Sequence, residues 1–87
     1  MKAFNFEYKA VIEKKEDCYR VKSYNSPYAV SQDSQSIDDI LYAIEKQKVL
    51  GDELDNGVYL VHLVCKFIEN SDGSFDQIFS LIKKEGL

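Results

Sequence analysis

The side chains whose types could support catalysis are few in this chain. His62 is the only histidine, and Cys65 follows it at the third position along. A histidine beside a thiol can serve as the base that activates a cysteine nucleophile. Both residues lie in an extended apolar segment, where side chains three positions apart point to opposite faces of a strand. The spacing therefore argues against a Cys–His pair and favours a structural or interfacial role for His62.

Two carboxylate-rich patterns also fail as chemical sites. Residues 52–57 suggest the start of a calcium loop, but the positions that must supply oxygen ligands hold Leu54 and Leu63. Asp38 and Asp39 lie at the start of a predicted helix, where capping and the helix dipole explain both of them. The sequence therefore predicts no catalytic residue, no metal ion and no cofactor.

Residues 58–68 are the most informative segment, because they predict a long strand that is apolar on both faces. The first face carries Tyr59, Val61, Leu63, Cys65 and Phe67. The second face carries Val58, Leu60, Val64 and Ile68, interrupted by His62 and Lys66. A strand with one solvated face alternates apolar and polar residues instead. We expect cover on both faces, and a chain of 87 residues leaves little to supply the second cover.

Length and composition indicate one ordinary globular domain spanning residues 1–87. The chain is 45% hydrophobic and 30% charged, and no window approaches the apolar length of a membrane span. The N-terminal residues do not have the pattern of a signal peptide. Cys18 and Cys65 are distant in sequence, and Cys65 lies on an apolar face as a buried free thiol would. These features predict a cytoplasmic protein.

The order of elements predicts the fold class. Residues 4–12 and 19–22 alternate with period two and predict a hairpin of two strands, and a short third strand is expected at residues 28–31. Ser36 predicts the cap of a helix that runs to about Val49. Ser74 predicts the cap of a second helix after the long strand, with an apolar stripe at Phe75, Ile78, Phe79 and Ile82. The result is a two-layer α+β fold of order β-β-β-α-β-α, an antiparallel-rich four-stranded sheet with two helices.

Charge and aromatic residues indicate where a partner would bind. Residues 25–57 carry seven acidic and two basic side chains, whereas residues 1–24 have a balance of +2. The acidic segment is either a solvated surface or a docking surface for a basic protein, and direct duplex binding is disfavoured because basic residues are not clustered. The five phenylalanines are expected in the core. The predicted partner-binding residues are Tyr24, Tyr28, Asp38, Asp39, Tyr42, Glu45, Asp52, Glu53, Asp55, Leu60, His62 and Val64.

A family resemblance lies in the N-terminal half. Residues 8–14, the turn at Asp17, and residues 19–21 resemble the N-terminal hairpin of HicB-type antitoxins, which runs Tyr-x-Ala-x-Ile-Glu, a turn, then Tyr-x-Val. The predicted order of elements is similar to the degenerate RNase-H-like domain of that family. Ser26-Pro27-Tyr28 and Asp33-Ser34 depart from the family pattern. The resemblance implies a protein that blocks a toxic nuclease by binding it.

These observations predict a small acidic, non-catalytic inhibitor that binds a protein. Its partner would be a basic nuclease or defence effector, as for antitoxins and phage anti-defence proteins, and the chain itself is expected to form a homodimer. Two alternatives stay open. One is a homodimeric accessory protein, and the other is a ligand-binding domain or small enzyme with a pocket between helices and sheet.

Overall fold

The computed structural model describes residues 3–25 and 33–87, which form one antiparallel sheet of four strands and a single helix. The strands are β1 (Ala3–Lys15), β2 (Cys18–Tyr24), β3 (Gly57–Glu69) and β4 (Phe75–Gly86), and the helix is α1 (Asp33–Glu45). The strand order across the sheet is β2-β1-β3-β4. The two 13-residue strands, β1 and β3, are therefore central.

The predicted second helix is wrong, because residues 75–86 form the edge strand β4. Their apolar residues fit a helical stripe, but Phe75, Phe79 and Leu81 also share one face of a strand. The preceding turn decides between the two structures. The Gly73 N–H donates to the Asn70 carbonyl at 3.0 Å, and the Asn70 N–H donates to the Ser74 carbonyl at 2.7 Å. These bonds close a hairpin that pairs β4 with β3.

Gly73 and Asp72 fit this hairpin turn for different reasons. Gly73 has a φ of 87°, a left-handed conformation that glycine adopts without strain. The Ser74 hydroxyl and N–H both donate to the Asp72 carboxylate, at 2.6 and 3.0 Å, and these bonds lower the pKa of Asp72. Ser74 therefore closes a turn and does not cap a helix, so the observed order is β-β-α-β-β over the described residues.

The helix α1 begins before Ser36 and ends at Glu45, earlier than the predicted end at Val49. Ser36 is therefore inside the helix, where its side chain is buried. Lys48 has a φ of 52°, and residues 46–56 continue as an irregular loop. The predicted third strand at residues 28–31 lies outside the described residues.

One layer of side chains between α1 and the sheet forms the core. From the sheet it includes Tyr8, Ala10, Ile12, Val61, Leu63, Cys65 and Phe79. From α1 and the following loop it includes Ile40, Ala43, Ile44, Leu50 and Leu54. Directly paired residues of antiparallel strands share a face, so this layer lies on one side of the sheet. It covers the Tyr59-to-Phe67 face of β3.

Candidate protein-binding surface

The opposite side of the sheet, here called the open face, carries the second apolar set of β3. Leu60 is 39% exposed there, and Val58, Val64 and Ile68 are half-buried. Val11 of β1 pairs with Leu60, and Ile78 of β4 pairs with Lys66, so both extend the same face. None of the other described elements packs over this face as α1 packs over the core. The prediction that β3 is apolar on both faces is confirmed, and its second face lies on the outside of the described structure.

A row of basic side chains crosses the centre of the open face. His62 of β3 pairs with Lys9 of β1 and with Lys83 of β4. These residues and Leu60 line a depression of about 300 Å³. Two lysines thus stand on either side of His62, so a partner would gain by placing a carboxylate between Lys9 and Lys83.

Two side chains of this row, His62 and Lys83, lie close to acidic side chains. The His62 Nε2 lies 3.5 Å from the Glu7 Oε1, and it is buried with no hydrogen-bond partner among the described residues. The Lys83 Nζ lies 2.7 Å from the Glu85 Oε1, and this bond raises the pKa of Lys83. Charge on the open face is therefore mixed, with both signs beside apolar positions.

The predicted acidic residues lie on the other layer of the molecule. Asp38 and Glu45 are exposed on α1, and Asp52, Glu53 and Asp55 are exposed in the loop that follows. Asp52 is also 3.2 Å from the Lys48 Nζ. We call these five acidic residues the acidic surface. Since α1 and its loop pack on the core side of the sheet, the acidic surface and the open face point in different directions.

Asp39, the remaining predicted acidic residue, is not on a contact surface. It is buried between α1 and the sheet, where it accepts hydrogen bonds from the Tyr8 hydroxyl at 2.6 Å and from the Gln35 Nε2 at 2.8 Å. The prediction that Asp39 caps the first turn of a helix is also wrong, because α1 begins at Asp33. Its carboxylate ties the helix to β1.

The three predicted contact tyrosines have different positions. Tyr24 is half-buried and packs against the core. Tyr28 lies outside the described residues. Tyr42 is 44% exposed on α1, with its ring centroid 6.1 Å from that of Phe79. Of the two tyrosines that the structure describes, Tyr42 is therefore the more exposed and the better placed to contact a partner.

Two phenylalanines expected in the core are exposed instead. Phe4 and Phe75 are 45% and 46% exposed, and their ring centroids are 5.7 Å apart. The Phe67 ring, which is partly buried, is 6.3 Å from that of Phe4. These rings lie on the core side of the sheet but at its end near the β3–β4 turn. The period-two pattern placed Phe4 on the correct face but did not show that the core layer stops before that end, and Phe75 was predicted on a helix that is a strand instead.

The β4 edge shows a further feature that the sequence did not predict. The Gln47 side chain donates from Nε2 to the Gln77 carbonyl at 2.7 Å, and its Oε1 accepts from the Phe79 N–H at 2.8 Å. One side-chain amide thus occupies backbone groups that a neighbouring strand would otherwise bond. Because no pattern relates Gln47 to β4, only the structure could reveal this cap.

The two cysteines differ in environment. Cys65 is buried, and this burial together with the nearby Asp39 raises the pKa of its thiol to about 12, whereas Cys18 is exposed. In the unfolded chain Cys65 would ionise from about pH 9, so its contribution to stability is complete below that pH and is lost as the pH rises towards 12.

We predict that at pH 8 a thiol reagent modifies Cys18 in the native protein within the mixing time of a bench assay. Cys65 should react only after urea unfolds the chain, because reaction requires an exposed thiolate. Absorbance after addition of an aromatic disulfide, with and without urea, measures both steps. A Cys18→Ser control should remove the native reaction alone, and two native equivalents would contradict the burial of Cys65.

Comparison with known proteins gives no relative, since no family model, curated protein or solved structure matches the chain. Among the described helical residues, none form a helix of the length and apolarity needed to cross a membrane. The described residues also contain no group of three or more His, Cys, Asp or Glu placed to hold a metal ion.

Proposed function

We propose that this protein is a non-catalytic inhibitor that binds a nuclease or another nucleic-acid-binding effector through the open face of its sheet. Antitoxins and phage anti-defence proteins act in this way. The observation that carries the proposal is the open face itself, with Leu60, Val64 and Ile78 on a side of the sheet that α1 does not cover. Apolar positions without an internal cover are typical of interaction surfaces.

The size of the open face agrees with this role. Strands lie about 4.8 Å apart and rise about 3.3 Å per residue, so four strands of this length present roughly 700 Å² on one side. A stable protein–protein interface buries about 800 Å² on each partner. The face is therefore large enough to supply most of one interface.

The acidic surface supports the choice of partner. Asp38, Glu45, Asp52, Glu53 and Asp55 are all exposed, and exposed charge of one sign accelerates encounter with a protein of the other sign. A nuclease or nucleic-acid-binding protein presents such basic surface, because it must neutralise phosphates. The acidic surface would attract the effector at long range as part of the chain's net charge of −4, and the open face, on the other side of the sheet, would hold it.

The resemblance to HicB-type antitoxins agrees with this proposal in the N-terminal hairpin. Residues 8–14 and 19–21, which carry that resemblance, belong to β1 and β2, and these two strands pair antiparallel. The second half differs from the implied order, since β4 stands in place of the second helix. The hairpin therefore supports the proposal, while the C-terminal half does not contribute to it.

The alternative of a ligand-binding pocket between helix and sheet has less support. Tyr8, Ile12, Ile40, Val61 and Leu63 fill that layer and are each fully buried. The open face carries both signs of charge, with Glu7 beside His62 and Glu85 beside Lys83. Charge alone therefore does not oppose the alternative of a homodimer formed by two open faces, which loss of a dimer in Leu60→Asp would identify.

Leu60→Asp is the variant that tests the proposal, and Leu81→Asp is its matched control. Both leucines are similarly exposed, at 39% and 36%, but they lie on opposite sides of neighbouring strands. We expect tagged wild-type protein and Leu81→Asp to capture the same effector from lysate of the native host. Leu60→Asp should lose at least tenfold in affinity, because an aspartate would be buried unpaired at the interface.

Inhibition is measured on the purified effector by titration. Its nucleic-acid cleavage or binding should fall to background at one equivalent of wild-type protein and remain in the presence of Leu60→Asp. Changing Asp52, Glu53 and Asp55 together to Asn, Gln and Asn should slow association and reduce its salt dependence, with less effect on dissociation. An effector that stays active at saturation, or equal binding by both leucine variants, would contradict the proposal.

A further inference from the structure

Part of the β4 edge has no partner in the described structure. Gln47 bonds the outward-facing groups at Gln77 and Phe79, but residues 80–87 are all exposed. Between the pairs Leu63–Leu81 and His62–Lys83, one residue of β4, Ile82, is left unpaired as a bulge. A bulge shifts the alternation of a strand by one residue. After Ile82, a different set of residues therefore directs its backbone N–H and C=O groups away from β3.

The hydrogen bonds at the end of β4 fix the direction of the outward groups. The Leu87 N–H donates to the Val58 carbonyl at 2.8 Å, so Leu87 bonds inward to β3. Successive residues of an antiparallel strand alternate between inward and outward bonding. Gly86 and Lys84 therefore direct their backbone N–H and C=O groups away from the sheet. Edges of this kind accept another strand.

The charges around Lys84 are symmetric for pairing with a second copy. Lys83 and Glu85 flank Lys84, lie on the open face, and are 2.7 Å apart as an ion pair. In an antiparallel pair of copies centred on Lys84, each Lys83 would stand opposite Glu85 of the second copy. The four side chains would form a square in which every cation has two anionic neighbours. The Lys83–Glu85 ion pair within each copy is kept, and each charge gains a second partner from the other copy.

We propose that two copies of this chain pair antiparallel along the free part of β4, residues 82–86, about a two-fold axis at Lys84. The axis is perpendicular to the sheet, so both open faces lie on the same side of one eight-stranded sheet. The dimer would double the surface available to a partner protein. It would leave the Gln47 cap in place, since that cap ends at Phe79.

Lys84 itself opposes the pairing, because the two copies of this residue stand opposite each other. Like charges in direct opposition destabilise a strand pair. This unfavourable contact makes a specific prediction, namely that Lys84→Thr strengthens the dimer. An edge that merely attracts acidic proteins would respond in the opposite way to the loss of a positive charge.

Sedimentation equilibrium of charge-reversed variants tests the proposal at concentrations from 5 to about 300 μM, a range typical of weak dimers. Wild-type protein should show a dimer, and Lys83→Glu or Glu85→Lys alone should weaken it at least tenfold by making the square all of one sign. Mixing the two variants should restore the dimer as a heterodimer, and the double variant K83E/E85K should restore it alone. Circular dichroism confirms that each variant is folded, which is expected for exposed positions.

Several outcomes would overturn the proposal. They are a wild-type protein that stays monomeric over the whole range, a dimer unaffected by either reversal, and single variants that do not associate when mixed. A dimer that Leu60→Asp abolishes, with both reversals silent, would assign the contact to the open face instead. Capture of an effector by wild-type protein and by Leu81→Asp reports on the proposed function separately, because Leu81 lies on the core side of β4 and not on the open face.

Discussion

Leu63→Ala is expected to lower the free energy of unfolding by about 2–5 kcal/mol, which is the usual cost of removing a large buried side chain. Leu63 is fully buried in the core layer on the α1 side of the sheet, and the cavity left by the change would lie within the only core layer described. Leu60→Ala should cost less than about 1 kcal/mol, since the leucine is 39% exposed and its truncation leaves no cavity. Urea unfolding followed by circular dichroism measures both values.

The pair of variants also identifies which face of β3 is internal. The two leucines are on the same strand, and only their side-chain direction differs. Comparable losses for both would mean that the open face is covered in solution, by another part of the chain or by a second copy. A concentration-dependent loss for Leu60→Ala would assign that cover to a second copy.

The strand pattern of β3 could be recognised from the sequence because one strand carries both of its apolar faces in eleven consecutive residues. Period-two alternation in β1 and β2 was equally local, and the hairpin they form is as predicted. What covers each face is not local information. The sequence left open which set of β3 faces outward, and α1 resolves it by packing against the set that includes Val61 and Leu63.

The strand β4 was misjudged because its apolar residues satisfy two periodicities. Phe75, Ile78, Phe79 and Ile82 match a helical stripe, while Phe75, Phe79 and Leu81 match one face of a strand. Local pattern cannot choose between them. The choice is made by the turn at residues 70–73, which returns the chain antiparallel to β3 and offers β4 a full set of backbone partners. The bulge at Ile82 then moves the pattern out of phase, so neither periodicity is complete.

The candidate binding surface could be predicted only where it depends on the pattern of a single strand. Leu60, His62 and Val64 were identified from alternation along one strand, and they do lie together on the open face. The row of Lys9, His62 and Lys83 depends on the register of three strands, and the Gln47 cap depends on where a loop lies in space. Neither can be derived from spacing along the chain. The acidic residues were predicted as one group. On α1, however, the exposed Asp38 and the buried Asp39 are adjacent in sequence, so one position decides whether a carboxylate reaches the surface.

Asp39→Ala is therefore expected to be far more costly than Asp38→Ala, although the two residues are adjacent. Asp39 accepts hydrogen bonds from Tyr8 and Gln35 inside the protein, and bonds to a carboxylate contribute about 1.5–3 kcal/mol each. Its removal also breaks the hydrogen bond that the buried Tyr8 hydroxyl donates. We therefore expect the free energy of unfolding to fall by about 2–4 kcal/mol. Asp38 is exposed, and its replacement should stay within about 0.5 kcal/mol.

Tyr8→Phe separates the hydrogen bond from the packing of the ring. The variant keeps the aromatic contact with Phe79, whose ring centroid is 6.0 Å away, and removes only the hydroxyl. Urea unfolding of Asp39→Ala, Tyr8→Phe and the double variant should give a coupling energy of at least about 1 kcal/mol, because the two residues share one bond. If Asp38→Ala and Asp39→Ala lose stability equally, or if the double variant is additive, the buried Tyr8–Asp39 bond does not hold α1 on the sheet.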